Sequence, residues 1–276
     1  MTGPAPDYSI DELISACISR QMRDGEMVAQ GLATPLVVAG ILLAKLTHAP
    51  NLRFASAIGQ SIVDEAAPLG LTRVEELWLG KAQMGGGFVR AAVEVLPHFT
   101  PKEFFRPAQI DTYGNFNNIA FGSDYTHPRL RLPGTGGIPD VTTFSDAIYI
   151  YVPRHSKVTF VEKLDFISGL GHNSPQRTHG SGPKYCITDL GEFDWANGRM
   201  RLTHFHAGTT IKHIQHKTGF DLEIAPEACE TPPPTPEEIR LLREEIDPLG
   251  IRKLETLGGQ ARKDLIRAIL AQEGTL

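Results

Sequence analysis

Ala108-Gln-Ile-Asp-Thr-Tyr-Gly-Asn-Phe-Asn-Asn-Ile-Ala-Phe-Gly122, followed by Gly134-Thr-Gly-Gly137, carries most of the fold information in this chain. Its first half reads as a hairpin: a strand ending near Ile110, a turn over Asp111, Thr112, Tyr113 and Gly114, and a return strand from Asn115. Its second half sets three glycines within four residues, which lets the backbone approach a ligand and aim its N–H groups outward.

Outward from this stretch, helix and strand signals alternate towards the N-terminus. Ser9-Ile-Asp-Glu12 is a capping box opening an amphipathic helix that ends near Asp24-Gly25. Met27 to Gln30 reads as a strand, and Pro35 opens an apolar helix that stops around His48. Leu52 to Ile58 reads as the next buried strand. Strand, helix, strand implies parallel pairing, with ligand sites beyond the strand ends. Arg73 to Ala82 and Phe88 to Val95 are expected as helix or loop around Gly85 to Gly87, which lacks the following Lys-Ser/Thr of a phosphate loop.

Towards the C-terminus the pattern becomes β-rich. Ala147 to Val152 and Val158 to Ile167 read as strands. Tyr185 to Asp189, Gly191 to Trp195 and Met200 to Phe205 read as a meander, turned at Asn197-Gly198. Ile211 to Lys217 is a helix capped by Thr209 or Thr210. Glu230 to Pro236 is expected as an extended surface segment, and Thr235-Pro-Glu-Glu238 opens a helix ending before Asp247-Pro248. The expected fold class is α/β: an open, mixed or mostly parallel sheet with flanking helices and a β-rich second half. Residues 1–248 are expected as one domain and 249–276 as a C-terminal helical extension.

Composition narrows the function classes. With 276 residues, 41% hydrophobic and 21% charged, the chain has enough apolar material for a substantial core. A net charge of −5 without a basic block argues against nucleic acid. The longest apolar run, Pro35 to Leu46, contains Lys45 and is too short to span a bilayer, so no membrane association is expected. Three scattered cysteines (Cys17, Cys186, Cys229) and an acidic N-terminus without a signal pattern point to a reducing cytoplasm and to no metal site.

The Ala108–Gly137 stretch resembles the β subunit of the class I (glutaconate-type) CoA-transferases. Further segments agree in the same order: Phe160-Val-Glu-Lys-Leu-Asp165 with Ser168-Gly169, Lys184 to Gly191, Gly219 to Leu222, and Arg243 to Pro248. The resemblance covers roughly residues 8 to 248. It implies an α subunit of similar fold, an α2β2 assembly and a coenzyme A thioester as substrate, with no bound cofactor. In that family a glutamate at the end of the strand preceding this stretch attacks the thioester, and CoA then passes over that carboxylate to an acceptor acid. Here the strand end reads Phe54-Ala-Ser-Ala-Ile-Gly59, with Ser56 or Ala57 where the glutamate belongs. Neither can form a glutamyl-CoA thioester.

A second group in the same superfamily fits this departure. The string Phe160 to Gly171, ending Gly-Leu-Gly, is similar to β subunits of the steroid-ring-opening CoA hydrolases of bacterial steroid catabolism. That resemblance implies hydrolytic C–C cleavage of a cyclic β-diketone CoA ester, with water as nucleophile and the key acid on the α chain. A true transferase with its nucleophile elsewhere, or a non-catalytic acyl-CoA-binding partner of an active α subunit, are the alternatives.

The resemblance implies an oxyanion loop at Gly136 and Gly137, and substrate or CoA contacts at Gly134, Thr135, Asn115, Asn117, Arg129, Arg131 and His172. Each has an ordinary counterpart. The glycines also suit a tight loop, Asn115 and Asn117 suit a turn and a strand edge, the arginines suit a solvated surface, and His172 suits a loop filler. His204, His206, His213 and His216 lack an acid or cysteine at matching spacing and read as surface or packing residues.

Overall fold

The computed structural model describes residues 7–31, 34–56, 61–65, 67–72, 80–90, 93–94 and 96–274. The chain divides into two compact units. The first comprises residues 1–93, 101–103 and 232–276; the second comprises 94–100 and 104–231. Residues 249–276, which the sequence sets apart as an extension, belong with the first unit.

In the first unit, α1 (Ile10–Arg20) follows Ser9, whose N–H donates to the Glu12 carboxylate at 2.8 Å, closing the helix start as the capping box requires. Strand β1 (Met27–Gln30) leads into α2 (Pro35–Leu46), whose residues from Leu36 to Ala44 are all buried. A helix apolar on every side has no solvent face to present, so it becomes the core of the unit. Strand β2 (Arg53–Ser56) then pairs parallel with β1, as the strand–helix–strand reading requires. The strand is shorter than expected, and residues 57–60, which hold Ala57, lie outside the described residues, as do 73–79.

Strands β3 (Ser61–Val63) and β4 (Ala82–Gly85) continue antiparallel beyond β2. On its other side β1 pairs parallel with the start of β5 (Lys102–Phe105), through Val28↔Lys102 and Ala29↔Glu103. The C-terminal segments close this unit. Thr235 caps α5 (Pro236–Arg240, numbered after α3 and α4 of the second unit), followed by a wider turn over Leu241–Ile246 that ends before Asp247-Pro248. The final helix, α6 (Gly259–Gln272), is anchored where Glu273 accepts the N–H groups of Leu71 (2.7 Å) and Thr72 (2.9 Å).

The second unit opens on the expected hairpin, β6 (Gln109–Ile110) and β7 (Phe116–Asn117). A second, smaller hairpin follows, β8 (Ala120–Phe121) with β9 (Leu130–Arg131). Helix α3 (Ile138–Phe144) starts directly after the glycine loop. Strands β10 (Ile148–Val152) and β11 (Tyr185–Thr188) run parallel; β12 (Gly191–Ala196) and β13 (Arg199–Phe205) continue as the antiparallel meander. Thr210 caps α4 (Ile211–Lys217) by accepting the His213 N–H. A strand the sequence did not announce, β14 (Glu223–Glu230), pairs parallel with β13.

Val158 to Ile167 is not the strand its apolar pattern predicts. Its backbone is spent on the β6–β7 hairpin instead: Ile110 N–H donates to Thr159 (2.7 Å) and Val161 N–H to Ile110 (2.9 Å), leaving one isolated bridge at Phe160. Its apolar side chains go to the core all the same, Phe160 being fully buried. Among the described residues no helix is long and apolar enough to cross a membrane.

Candidate functional site

In the second unit a cavity of about 580 Å³ opens beside the glycine loop. Its wall is largely apolar, including Ile119, Leu132, Leu170 and Pro139, with Arg131 and Thr135 as polar members. Such a mixture, an apolar hollow with a few placed polar groups, is the usual make-up of a small-molecule site. Gly134 also lines it, and Gly136 and Gly137 carry the loop from the wall into α3.

The backbone explains the glycines. Gly134 (φ +110°) and Gly136 (φ +53°) adopt positive φ, which an L side chain rarely takes. A Cβ on Gly134, Gly136 or Gly137 would have nothing within 4 Å, so space rather than a neighbour faces the loop. The N–H groups of Gly136 and Gly137 have no acceptor among the described residues. The loop therefore offers adjacent free donors next to an apolar cavity.

Arg131 is held rather than free to roam. Its Nη2 donates to the Tyr125 carbonyl at 2.7 Å, and its guanidinium sits 4.4 Å from the Tyr125 ring centroid. Arg129, two residues away on the same small hairpin, lies 5.8 Å from the Phe121 ring and is not part of the cavity wall.

Asn115 and Asn117 are occupied within the protein. The Asn115 amide donates to Asp111 (2.9 Å) and Asn173 (2.8 Å), while its oxygen accepts from Gly171 N–H (2.8 Å) and the Ser174 hydroxyl (2.6 Å). Asn117, fully buried, donates to Gln109 and the Ala120 carbonyl and accepts from Ile119 N–H, each at 2.8 Å. Both side chains thus fasten the hairpin that supports the cavity. Burial raises the carboxyl of Asp111, against the bonds it receives from Asn115 and Tyr113.

His172 is half-buried, stacked on Trp195 at 5.6 Å, and its Nε2 donates to the Pro183 carbonyl at 2.8 Å. Burial holds its pKa below the usual histidine value, so it is neutral at physiological pH. His206 is likewise tied inside the unit, between Thr231 and the Thr188 carbonyl. No group of three or more metal-ligating side chains is gathered among the described residues.

In the first unit, Ser56 ends β2 and is in register with Gln30 of β1. The pattern did not single out Glu103, on β5. A lone acid inside Lys102-Glu-Phe-Phe105, a strand otherwise closed by aromatics, was the available signal.

Comparison with known proteins agrees with this arrangement. Residues 103–217 match the Coenzyme A transferase family model. A subunit of the glutaconate CoA-transferase from Acidaminococcus fermentans is 31% identical over 258 residues, covering 88% of this chain and 94% of that one. The cholesterol ring-cleaving hydrolase IpdB subunit of Mycobacterium tuberculosis is 28% identical, covering 88% and 97%. The crystal structure of the decarboxylase AibA/AibB superposes with a TM-score of 0.78 at 27% identity, covering 90% of this chain and 98% of that one. The chain belongs to the coenzyme A transferase family.

Within that family its relatives include a transferase, a hydrolase and a decarboxylase. Family membership therefore leaves the reaction to be argued from this chain's own residues.

Proposed function

We propose that this chain is the β subunit of a two-chain cytoplasmic enzyme that hydrolyses a C–C bond in a cyclic β-diketone carried as a CoA thioester. Its partner is an α subunit of similar fold, in an α2β2 assembly. The observation that carries the reading is Ser56 at the end of β2, at the position where transferases of this kind hold their glutamate. Without a carboxylate there, CoA has no acyl carrier to pass over. An alcohol ester does not hand CoA to a second acid.

Water is then the nucleophile. Its oxygen bonds to a ring carbonyl carbon as one of its protons leaves to a base, and the carbonyl oxygen becomes an oxyanion. The free N–H groups of Gly136 and Gly137 are the donors suited to that charge. Collapse of the tetrahedral adduct breaks the C–C bond, leaves a carboxylic acid on one side, and the departing carbon takes up a proton. Arg131, fixed by Tyr125, suits a carboxylate or phosphate of the substrate.

Run in ¹⁸O-water with a cyclic β-diketone CoA thioester, the complex should place one ¹⁸O in the new carboxylate and keep CoA on its original acyl chain. Borohydride should trap no glutamyl-CoA adduct on either chain. A trapped adduct, or CoA moved to added acetate, replaces the hydrolytic reading with transfer. Arg131→Gln should raise KM about tenfold with kcat little changed, since loss of one charge-assisted contact removes on the order of 1.5 kcal/mol of uniform binding. An unchanged KM removes Arg131 from the site.

A further inference from the structure

Strand β1 pairs with β2 on one side, reached through α2, and with β5 on the other, reached only after the chain has passed through β3 and β4. The direction of winding therefore reverses between β1 and β5. In open α/β sheets the carboxyl ends of strands at such a reversal are where ligands collect. Pairing is parallel, so residues in register share a face: Ala55, Ala29 and Glu103 form one row. That row lies one residue short of the Gln30↔Ser56 pair that ends β1 and β2.

The row is chemically lopsided. Two alanines flank the carboxylate and leave room beside it. Lys102, the adjacent cation, points to the opposite face with Val28 and Phe54, where it bonds the Gln21 carbonyl and Glu26. Glu103 has no hydrogen-bond or ion-pair partner among the described residues. A carboxylate placed in a sheet without a partner costs stability, and such costs are retained where they serve chemistry.

We propose that Glu103 is a catalytic acid–base residue of this chain, facing the acyl-CoA carbonyl at the β1/β5 strand ends. This rests on the acyl-CoA reading above. During hydrolysis Glu103 takes the proton that the attacking water loses as its O–C bond forms. It returns that proton to the carbon released when the C–C bond breaks, so the group ends the cycle as it began. Burial alone, with no charged neighbour acting on it, raises its carboxyl to about 7. A carboxyl poised there both accepts and gives up a proton near neutral pH.

Two measurements on the αβ complex test this separately from the hydrolytic reading. In the first, infrared difference spectra are taken across neutral pH with and without a thioether analogue of acetoacetyl-CoA, which binds but cannot be cleaved. A protonated-carboxyl band absent from Glu103→Gln, titrating near neutrality and shifted by the analogue, is expected. A missing band, or one indifferent to the analogue, overturns the proposal whether or not the complex hydrolyses anything. In the second, Glu103→Gln should lower kcat by about 10²–10⁴-fold and abolish the acidic limb of the pH–rate profile, with unchanged melting and analogue affinity. Glu103→Asp should regain part of the rate. A Gln variant with the parent rate and profile overturns the assignment. A responsive band in a complex without hydrolytic activity supports Glu103 and rejects hydrolysis.

Discussion

Replacing Arg252 by methionine should destabilise the first unit by about 3–5 kcal/mol, the range for stripping one partner from a buried ion cluster. Arg252 is 1% exposed and meets three carboxylates: Asp11 at 2.8 Å, Glu12 at 2.9 Å and Asp247 at 2.9 Å. Methionine fills similar volume but leaves those acids facing one another without their shared cation. Arg243 also bonds Glu12, at 2.7 Å, yet its side chain is nearly half exposed. Arg243→Met should therefore cost about 1 kcal/mol or less. Urea midpoints of the two variants decide the matter: equal losses would sink the argument from burial.

The same cluster sets an acid limit. Although burial opposes it, the carboxylate of Glu12 is held down to about 2 by hydrogen bonds from Arg243 and Ser9 and by the charge of Arg252. A carboxyl depressed on folding stabilises above its unfolded pKa, near 4.5, and that contribution is lost as pH falls towards 2. The loss amounts to roughly 3 kcal/mol. Asp247 acts in the opposite sense, because burial raises its carboxyl despite its bonds from Arg252 and Ile251. Acid unfolding of the first unit should thus begin below pH ~5 and come earlier in Arg243→Met. An acid transition that Arg243→Met leaves in place would remove Glu12 as its source.

The second large effect is expected at Gly171. A Cβ there would stand 2.3 Å from the Tyr113 carbonyl oxygen and 2.4 Å from the Asn115 nitrogen. Both are backbone atoms of the turn, and neither can swing aside. The turn is also fastened at this point, with Gly171 N–H donating to Asn115 and His172 N–H to Tyr113, both at 2.8 Å. Gly171→Ala must push the two segments apart, at a cost of about 3 kcal/mol, the upper end for overpacking. Leu170 lines the cavity one residue away, so acyl-CoA affinity should fall with stability. Gly208 makes the control: its φ is +82° but its Cβ would meet nothing within 4 Å. Gly208→Ala should cost only the backbone strain, about 1 kcal/mol. Equal denaturant midpoints for the two variants would refute the steric explanation.

Gly171 also shows how the family strings work together. In sequence, Ala108–Gly122 reads as a hairpin with candidate substrate contacts at Asn115 and Asn117, and Phe160–Gly171 as a separate strand. In the folded chain the second segment clamps the first: Phe116 pairs with Gly169, and Asn115 is enclosed by Gly171, Asn173 and Ser174. An amide side chain has the same appearance in sequence whether it meets a ligand or a loop fifty-odd residues away. Only the partner tells the two apart.

Local physics made much of the rest legible. The capping boxes at Ser9 and Thr235, Pro35 at the first turn of α2 and the Asn197-Gly198 turn of the meander act within a few residues, and all lie where the sequence places them. Strand β14 was missed because Glu223–Glu230 alternates weakly and contains Pro226; its pairing with β13 is a long-range hydrogen-bond choice.

By itself, then, the sequence determined family membership, the order of the main elements, the positive-φ glycine loop, and the absence of a carboxylate from Phe54 to Gly59. Those properties are written in residue types and short spacings. Tertiary structure alone decided that Asn115 and Asn117 are fastened inside the hairpin, that Arg131 rather than Arg129 reaches the cavity wall, and that Arg252 gathers three acids. It also decided that Glu103 stands in a row with two alanines and, among the described residues, no partner. Charge, room and protonation depend on what surrounds a side chain, and those surroundings come from segments far apart in the chain.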